Sequence, residues 1–163
     1  MNVYRRIERG APGIAESLRA IERAAGVRFR SFGMTDVADD EGTEPEILDD
    51  RAARGRLYIA WDARDAAVGF LIWSPKDGCA YIEEVSVHPD HAGHRLAARI
   101  SGRFAAITLV TFRDIPWNAP YYATLGFTEI ARNRLGPDHE ESWQQQTASG
   151  LDMSRRLFMT RTL

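Results

Sequence analysis

A chain of 163 residues with 44% hydrophobic and 27% charged side chains is long enough to bury a substantial core in a single domain over 1–163 and has a globular composition. Its formal net charge of -2 argues against a general attraction to nucleic acid or to an anionic membrane, and its single cysteine, Cys79, excludes an intramolecular disulfide. No apolar run approaches the roughly 20 residues of a membrane span, and the charged start MNVYRRIERG lacks an apolar signal region, so a cytoplasmic protein is expected.

VYRRI, 3–7, is a short candidate strand. Ile14, Leu18, Ile21 and Ala25 recur at helical spacing and predict an amphipathic helix over 14–25. RFRSFGM has no clear periodicity. The run Asp36 to Asp50 holds eight acidic residues and no basic one. Such a run is expected as a solvated loop, or as an attractive field for a cationic substrate. Strands follow at 57–61, 68–73 and 80–87 with short turns, DARDAA and PKDG, between them; this spacing suggests an antiparallel meander. The second of these is apolar on both faces and is expected to be central.

After Gly93 the period changes. Leu96, Ile100 and Phe104 fall on one helical face, which Gly102 weakens by roughly 1 kcal/mol. ITLVTF, 107–112, is an apolar strand. NAPYYATLGF is a short helix, with Asn118 suited to the N-cap, Pro120 to the first turn and Gly126 to the position past the end. Strands at about 127–131 and 156–162 close the chain, and the loop between them is expected to hold a short helix near Trp143. A mixed sheet with packed helices follows. The strand–helix–strand piece at 80–111 makes the fourth and fifth strands parallel.

His88, His91 and His94 sit at a spacing of three. Metal is disfavoured, because zinc needs converging ligands, usually four, and no cysteine pair stands beside them. A strand, a glycine-containing loop and a helix start also form a possible anion cradle, through free N–H groups and the helix dipole. By pattern alone that signal is modest.

EEVSVHPDHAGHRLAARI followed by ITLVTFRDIPWNAPYYATLGF resembles the two core motifs of the GCN5-related N-acetyltransferase (GNAT) superfamily over about 81–127. Val87 and Pro89 match the lead-in to the family's pyrophosphate loop, and Gly93 and Ala97 fall in register. Asn118, Tyr122, Gly126 and Phe127 match the later motif. Two positions depart: Ala92 stands where the loop usually carries Gln or Arg, and Arg95 where it carries its second glycine. Arg95 adds bulk, yet its guanidinium is able to pair with phosphate.

The resemblance implies an α/β (α+β) fold, a GNAT-like mixed and mostly antiparallel twisted sheet of about six to seven strands. Helices would cover both faces, and parallel strands four and five would splay. It implies acetyl-CoA as co-substrate, no metal, and a primary amine as acceptor, with a protein N-terminus as second choice. The backbone of Val85, Ser86 and Val87 would meet the pantetheine arm. Ala92, Gly93, His94, Arg95, Leu96 and Ala97 would hold the pyrophosphate, and Asn118 would reach the cofactor as well as cap its helix. Tyr122 is the candidate general acid, with Tyr121 beside it. Glu84 or a water is the candidate base, Glu83 lying on the other face by alternation. Phe32, Trp73 and Trp117 are candidate acceptor-pocket walls. An N-acetyltransferase of a small cationic amine is the leading expectation. A non-catalytic acyl-CoA-binding or regulatory module with an altered loop is the alternative, which the presence of Glu84, Asn118 and Tyr122 disfavours. Edge strands and the long loop before the last strand suggest a homodimer.

Overall fold

The computed structural model describes residues 6–91, 96 and 104–163. In chain order these form β1 (Arg6–Arg9), α1 (Ala15–Gly26), α2 (Thr35–Ala38), α3 (Pro45–Ala53), β2 (Leu57–Trp61), β3 (Ala67–Lys76), β4 (Cys79–Val87), β5 (Ala106–Phe112), α4 (Ala119–Thr124), β6 (Thr128–Ile130), α5 (Pro137–Ala148) and β7 (Arg156–Thr162). The strands make one sheet in the order β1-β2-β3-β4-β5-β7-β6. Pairing is antiparallel for β1–β2, β2–β3, β5–β7 and β6–β7, and parallel for β4–β5. This is the expected mixed, mostly antiparallel sheet with flanking helices. The start of the first expected strand and most of the helix expected after Gly93 lie outside the described residues.

One expectation is corrected in part. The acidic run is not all loop: α2 and the first part of α3 take up 36–38 and 45–50, and 39–44 connects them. Charge masked a helical spacing in which Leu48 and Ala52 are buried. Pro45 starts α3 at a position where its missing N–H costs nothing. Arg51 and Arg54 pair with Asp50, Arg30 pairs with Asp39, and the Glu22 carboxylate of α1 accepts from the Thr43 N–H at 2.9 Å and hydroxyl at 3.1 Å. Two of the run's carboxylates are thus met by arginines close by in the chain. The helix expected near Trp143 is α5, 12 residues long.

The chain divides into two compact units, Met1–Trp73 with Glu84–Arg99 and Ser74–Glu83 with Ile100–Leu163. The core of the first joins Leu18 and Ile21 of α1, Leu48 and Ala52 of α3, Leu57 and Ile59 of β2, and Phe70 and Ile72 of β3. Period-two alternation puts each strand pair on one face. The register sets Leu57 against Ile72 and Ile59 against Phe70, so cross-strand pairs meet both helices. Burying each such large side chain contributes about 1.5–3 kcal/mol.

The second unit is organised by one carboxylate. Asp77 and Gly78 turn β3 into β4, both with positive φ, 48° and 75°, as a two-residue Asp-Gly hairpin turn requires. α5 begins after Gly136, which has no side chain to cap it. Asp77 supplies the cap from the turn: its carboxylate accepts from the N–H groups of Asp138 at 3.1 Å and His139 at 3.0 Å, and lies 2.6 Å from His139 Nδ1. The Asp138 carboxylate answers by accepting the Asp77 N–H at 2.9 Å. A Cβ on Gly136 would stand 2.4 Å from the Asp77 carboxyl carbon, so this glycine is a matter of space.

The far side of the buried His139 ring, Nε2, lies 2.7 Å from the Thr108 hydroxyl of β5. The ring meets Tyr81 and Phe158 edge-on, each at 5.7 Å between centroids, and Trp143 of α5 stacks on Phe158 at 5.8 Å. Turn, helix and two strands are thereby tied together.

Burial pushes the Asp77 carboxyl up, but the N–H groups of His139 and Asp138 and the His139 ring outweigh it and hold the carboxyl below its usual range. A carboxyl held low in the folded state stabilises the fold fully above its unfolded value, about 3.9, and that contribution is lost as pH falls through the lower folded value. Asn tolerates the left-handed turn, so Asp77→Asn tests the charge itself. It is expected to lose about 1 kcal/mol near neutral pH and to converge on the wild type as pH drops below about 4. Urea denaturation at both pH values measures the difference.

Candidate active site

In the first unit, the C-terminal half of β4 carries the candidate base. Alternation sets Glu84 and Ser86 on one face, and the Ser86 hydroxyl donates to Glu84 Oε1 at 2.7 Å. Ser86 is 7% exposed while Glu84 is half-buried, so a seated hydroxyl holds a more accessible carboxylate. Glu84 can accept a proton, and its reach is restricted by that bond. Val85 and Val87 lie on the same strand, both half-buried.

Gly69 of β3 stands beside this segment for steric reasons. A Cβ there would lie 3.2 Å from Val87 Cγ2, 3.3 Å from the Ser86 carbonyl oxygen and 3.4 Å from Leu96 Cδ1. Leu96, whose neighbours on either side lie outside the described residues, has a fully buried side chain. Its hydrophobic anchor therefore fits where β3 lacks a side chain. The His88 N–H donates to the Val68 carbonyl at 2.8 Å, and the His91 N–H donates to the His88 carbonyl at 2.8 Å, carrying β4 into a single turn at Pro89–His91. Ala92, Gly93, His94, Arg95 and Ala97 lie outside the described residues. Among the described residues no group of three or more His, Cys, Asp or Glu is arranged to hold a metal ion, and no helix is long and apolar enough to cross a membrane.

In the second unit, the parallel ladder runs over Ala80–Ile82 against Ile107–Leu109. β5 continues to Phe112, and its Thr111 hydroxyl donates to Asn118 Oδ1 at 2.6 Å. Asn118 holds the N-cap position of α4 but does not cap it with its side chain, which corrects the dual role expected from sequence. The side chain is engaged by β5, while its backbone carbonyl accepts the Tyr122 N–H at 2.9 Å.

Tyr122 is half-buried, its ring edge-on to Phe127 at 5.5 Å and 5.8 Å from that of Tyr121. Gly126, with φ 87°, lets the Phe127 N–H return to the Tyr122 carbonyl at 3.1 Å and so fixes the ring against which Tyr122 rests.

The structure thus brings Glu84 and Ser86 together, and separately Asn118 and Tyr122. The expected pocket aromatics stand on different elements. Phe32 ends a turn after α1 at 40% exposure. Trp73 lies in β3 with the Arg56 guanidinium 5.7 Å from its ring centroid. Trp117 precedes α4 in the second unit. Sequence reasoning missed Thr111, Asp77 and His139. The first hid in an apolar strand pattern, and the other two took partners about sixty positions apart.

The acetyltransferase (GNAT) family profile matches residues 18–101, just over half of the chain. Solved structures with the same fold include an N-acetylglutamate synthase from Neisseria gonorrhoeae complexed with coenzyme A and N-acetyl-glutamate. It matches with TM-score 0.70 and 14% identity over 97% of this chain, which spans 35% of the synthase. The PaiA N-acetyltransferase of Thermoplasma acidophilum, in complex with coenzyme A, matches with TM-score 0.65 and 12% identity over 97% of this chain and 98% of its own. A GNAT-family acetyltransferase from Staphylococcus aureus Mu50 matches with TM-score 0.63 and 18% identity over 97% and 98%. At these identities the likeness is one of fold.

Gly69→Ala is expected to destabilise the protein by about 1–3 kcal/mol through overpacking against Val87, the Ser86 carbonyl and Leu96. Thermal unfolding of the variant measures the effect.

Proposed function

The chain belongs to the acetyltransferase (GNAT) family, and from that premise we propose that it moves an acetyl group from acetyl-CoA to the primary amine of a small cationic acceptor. The family match carries the reading. The presence of coenzyme A in solved relatives of the same fold supports the donor.

An amine in water is mostly an ammonium ion and must lose a proton before it attacks. Glu84, directly or through a water, takes that proton. The amine nitrogen then bonds to the thioester carbonyl carbon, the carbon–sulfur bond breaks, the Tyr122 hydroxyl gives a proton to the leaving sulfur, and the second proton shed by the nitrogen passes through water to restore the phenol. The half-buried Glu84 carboxylate, steered by Ser86, and the half-buried phenol of Tyr122 support these roles. Val85, Ser86 and Val87 offer backbone groups to the pantetheine arm. The segment Ala92, Gly93, His94, Arg95, Leu96 and Ala97 offers N–H groups to the pyrophosphate, as a helix start does, with Arg95 as a phosphate partner. Phe32, Trp73 and Trp117 wall the acceptor pocket.

The altered loop favours one second reading, a non-catalytic acyl-CoA binder. Calorimetric titration with acetyl-CoA, followed by turnover against a panel of small amines, separates the two. Tight binding that Arg95→Glu abolishes and Arg95→Gly weakens, with turnover, is expected. Binding without turnover would favour the second reading, and no binding in any variant would overturn both. Glu84→Gln is expected to lower kcat by about 10²–10⁴-fold while leaving acetyl-CoA binding intact, measured by steady-state kinetics and the same titration.

A further inference from the structure

We infer that Thr111 is a positioning residue that sets which end of the Asn118 amide is offered to acetyl-CoA; the inference rests on the acetyl-CoA reading above and adds to it the polarity of that contact. An asparagine amide has one face that accepts and one that donates, and the two are nearly equal in shape. A site that uses such a group must choose its orientation. Thr111 makes that choice from within the second unit. It is 5% exposed on β5, and its Oγ1 lies 2.6 Å from Asn118 Oδ1. Of these two oxygens only the hydroxyl carries a hydrogen, so the hydroxyl donates. The length fits O–H···O, whereas N–H···O bonds between an amide nitrogen and a hydroxyl run longer, about 2.7–3.2 Å.

With its carbonyl so engaged, Asn118 presents the two N–H bonds of its amide. Its backbone is held as well, since its N–H donates to the Ile115 carbonyl at 2.9 Å and its own carbonyl accepts from Tyr122. Ile115 is 1% exposed, which anchors that turn. The amide oxygen is the end held by Thr111, so the end left for a ligand selects an acceptor. In acetyl-CoA the matching groups are the carbonyl oxygens of the pantetheine amides. The N–H groups of the pantetheine arm are the wrong partner for it.

Calorimetric titration of the full chain with acetyl-CoA tests this, using variants that separate bond from shape. Thr111→Val keeps the β-branched shape and loses the hydroxyl; Thr111→Ser keeps the hydroxyl and loses the methyl. We expect Thr111→Val to weaken acetyl-CoA binding by about three- to tenfold and to raise KM for acetyl-CoA while leaving kcat unchanged. Thr111→Ser should bind as the wild type does. Asn118→Asp, which offers only acceptors, should bind more weakly than Asn118→Ala. The inference is overturned if Thr111→Val binds as tightly as the wild type, if Thr111→Ser is as weak as Thr111→Val, or if Asn118→Asp binds as the wild type does. In the ligand-free protein, the side-chain amide signals of Asn118, identified by their loss in Asn118→Asp, should move in Thr111→Val and return in Thr111→Ser. Absence of acetyl-CoA binding in the wild type would withdraw the cofactor reading and the assigned role together. Unmoved amide signals, with wild-type binding intact, would overturn the Thr111 inference alone.

Discussion

A single carboxylate at a hairpin turn governs the second unit. Asp77 sits where β3 becomes β4, and it takes the place of the side-chain cap that Gly136 does not provide to α5. Without it the first N–H groups of that helix would be left unsatisfied beside a buried imidazole, and orphaned polar groups of this kind are costly away from water. The same imidazole extends the connection to Thr108. Thr108 is paired in the parallel ladder with Tyr81 and in the antiparallel ladder with Thr160. The parallel β4–β5 step is thus held by a side-chain hydrogen bond to α5 as well as by its own ladder.

β5 is pinned from both faces. Thr108 and Thr111 are three residues apart on a strand, so they point to opposite sides. Thr108 meets His139 of α5, and Thr111 meets Asn118 at the start of α4. One hydroxyl settles the strand against the structural helix; the other carries that order to the helix bearing Tyr122. Rigid elements place side chains more accurately than loops do, and here the rigidity is polar and directional rather than a product of apolar packing alone.

Where the pattern was long and periodic, the chain was legible. The apolar stripe of α1 and the alternating strands β2 to β4 declared themselves because burial imposes a period. The acidic run misled because charge was weighed above spacing: Leu48 and Ala52, four apart and buried, were sufficient for a helix once Arg51 and Arg54 lay beside Asp50. The site divides in the same way. Asn118 and Tyr122 were visible as a motif, and Glu84 as a candidate from its place in the strand before it. What Asn118 does with its side chain was not, since capping and binding β5 look alike from an N-cap asparagine. Thr111 looked like any β-branched strand residue. Asp77 looked like turn chemistry, and nothing local in sequence ties it to His139.

The crowding of Gly136 by Asp77 links two positions that lie far apart along the chain. A methyl group at the glycine has no room while the carboxylate is present, and a shortened residue at the turn would leave the helix start uncapped but would open that room. Neither change is neutral by itself, and each alters the cost of the other. Over evolutionary time such positions are constrained to vary as a pair, so relatives that have lost the acid at the hairpin are the ones free to begin this helix with a residue other than glycine.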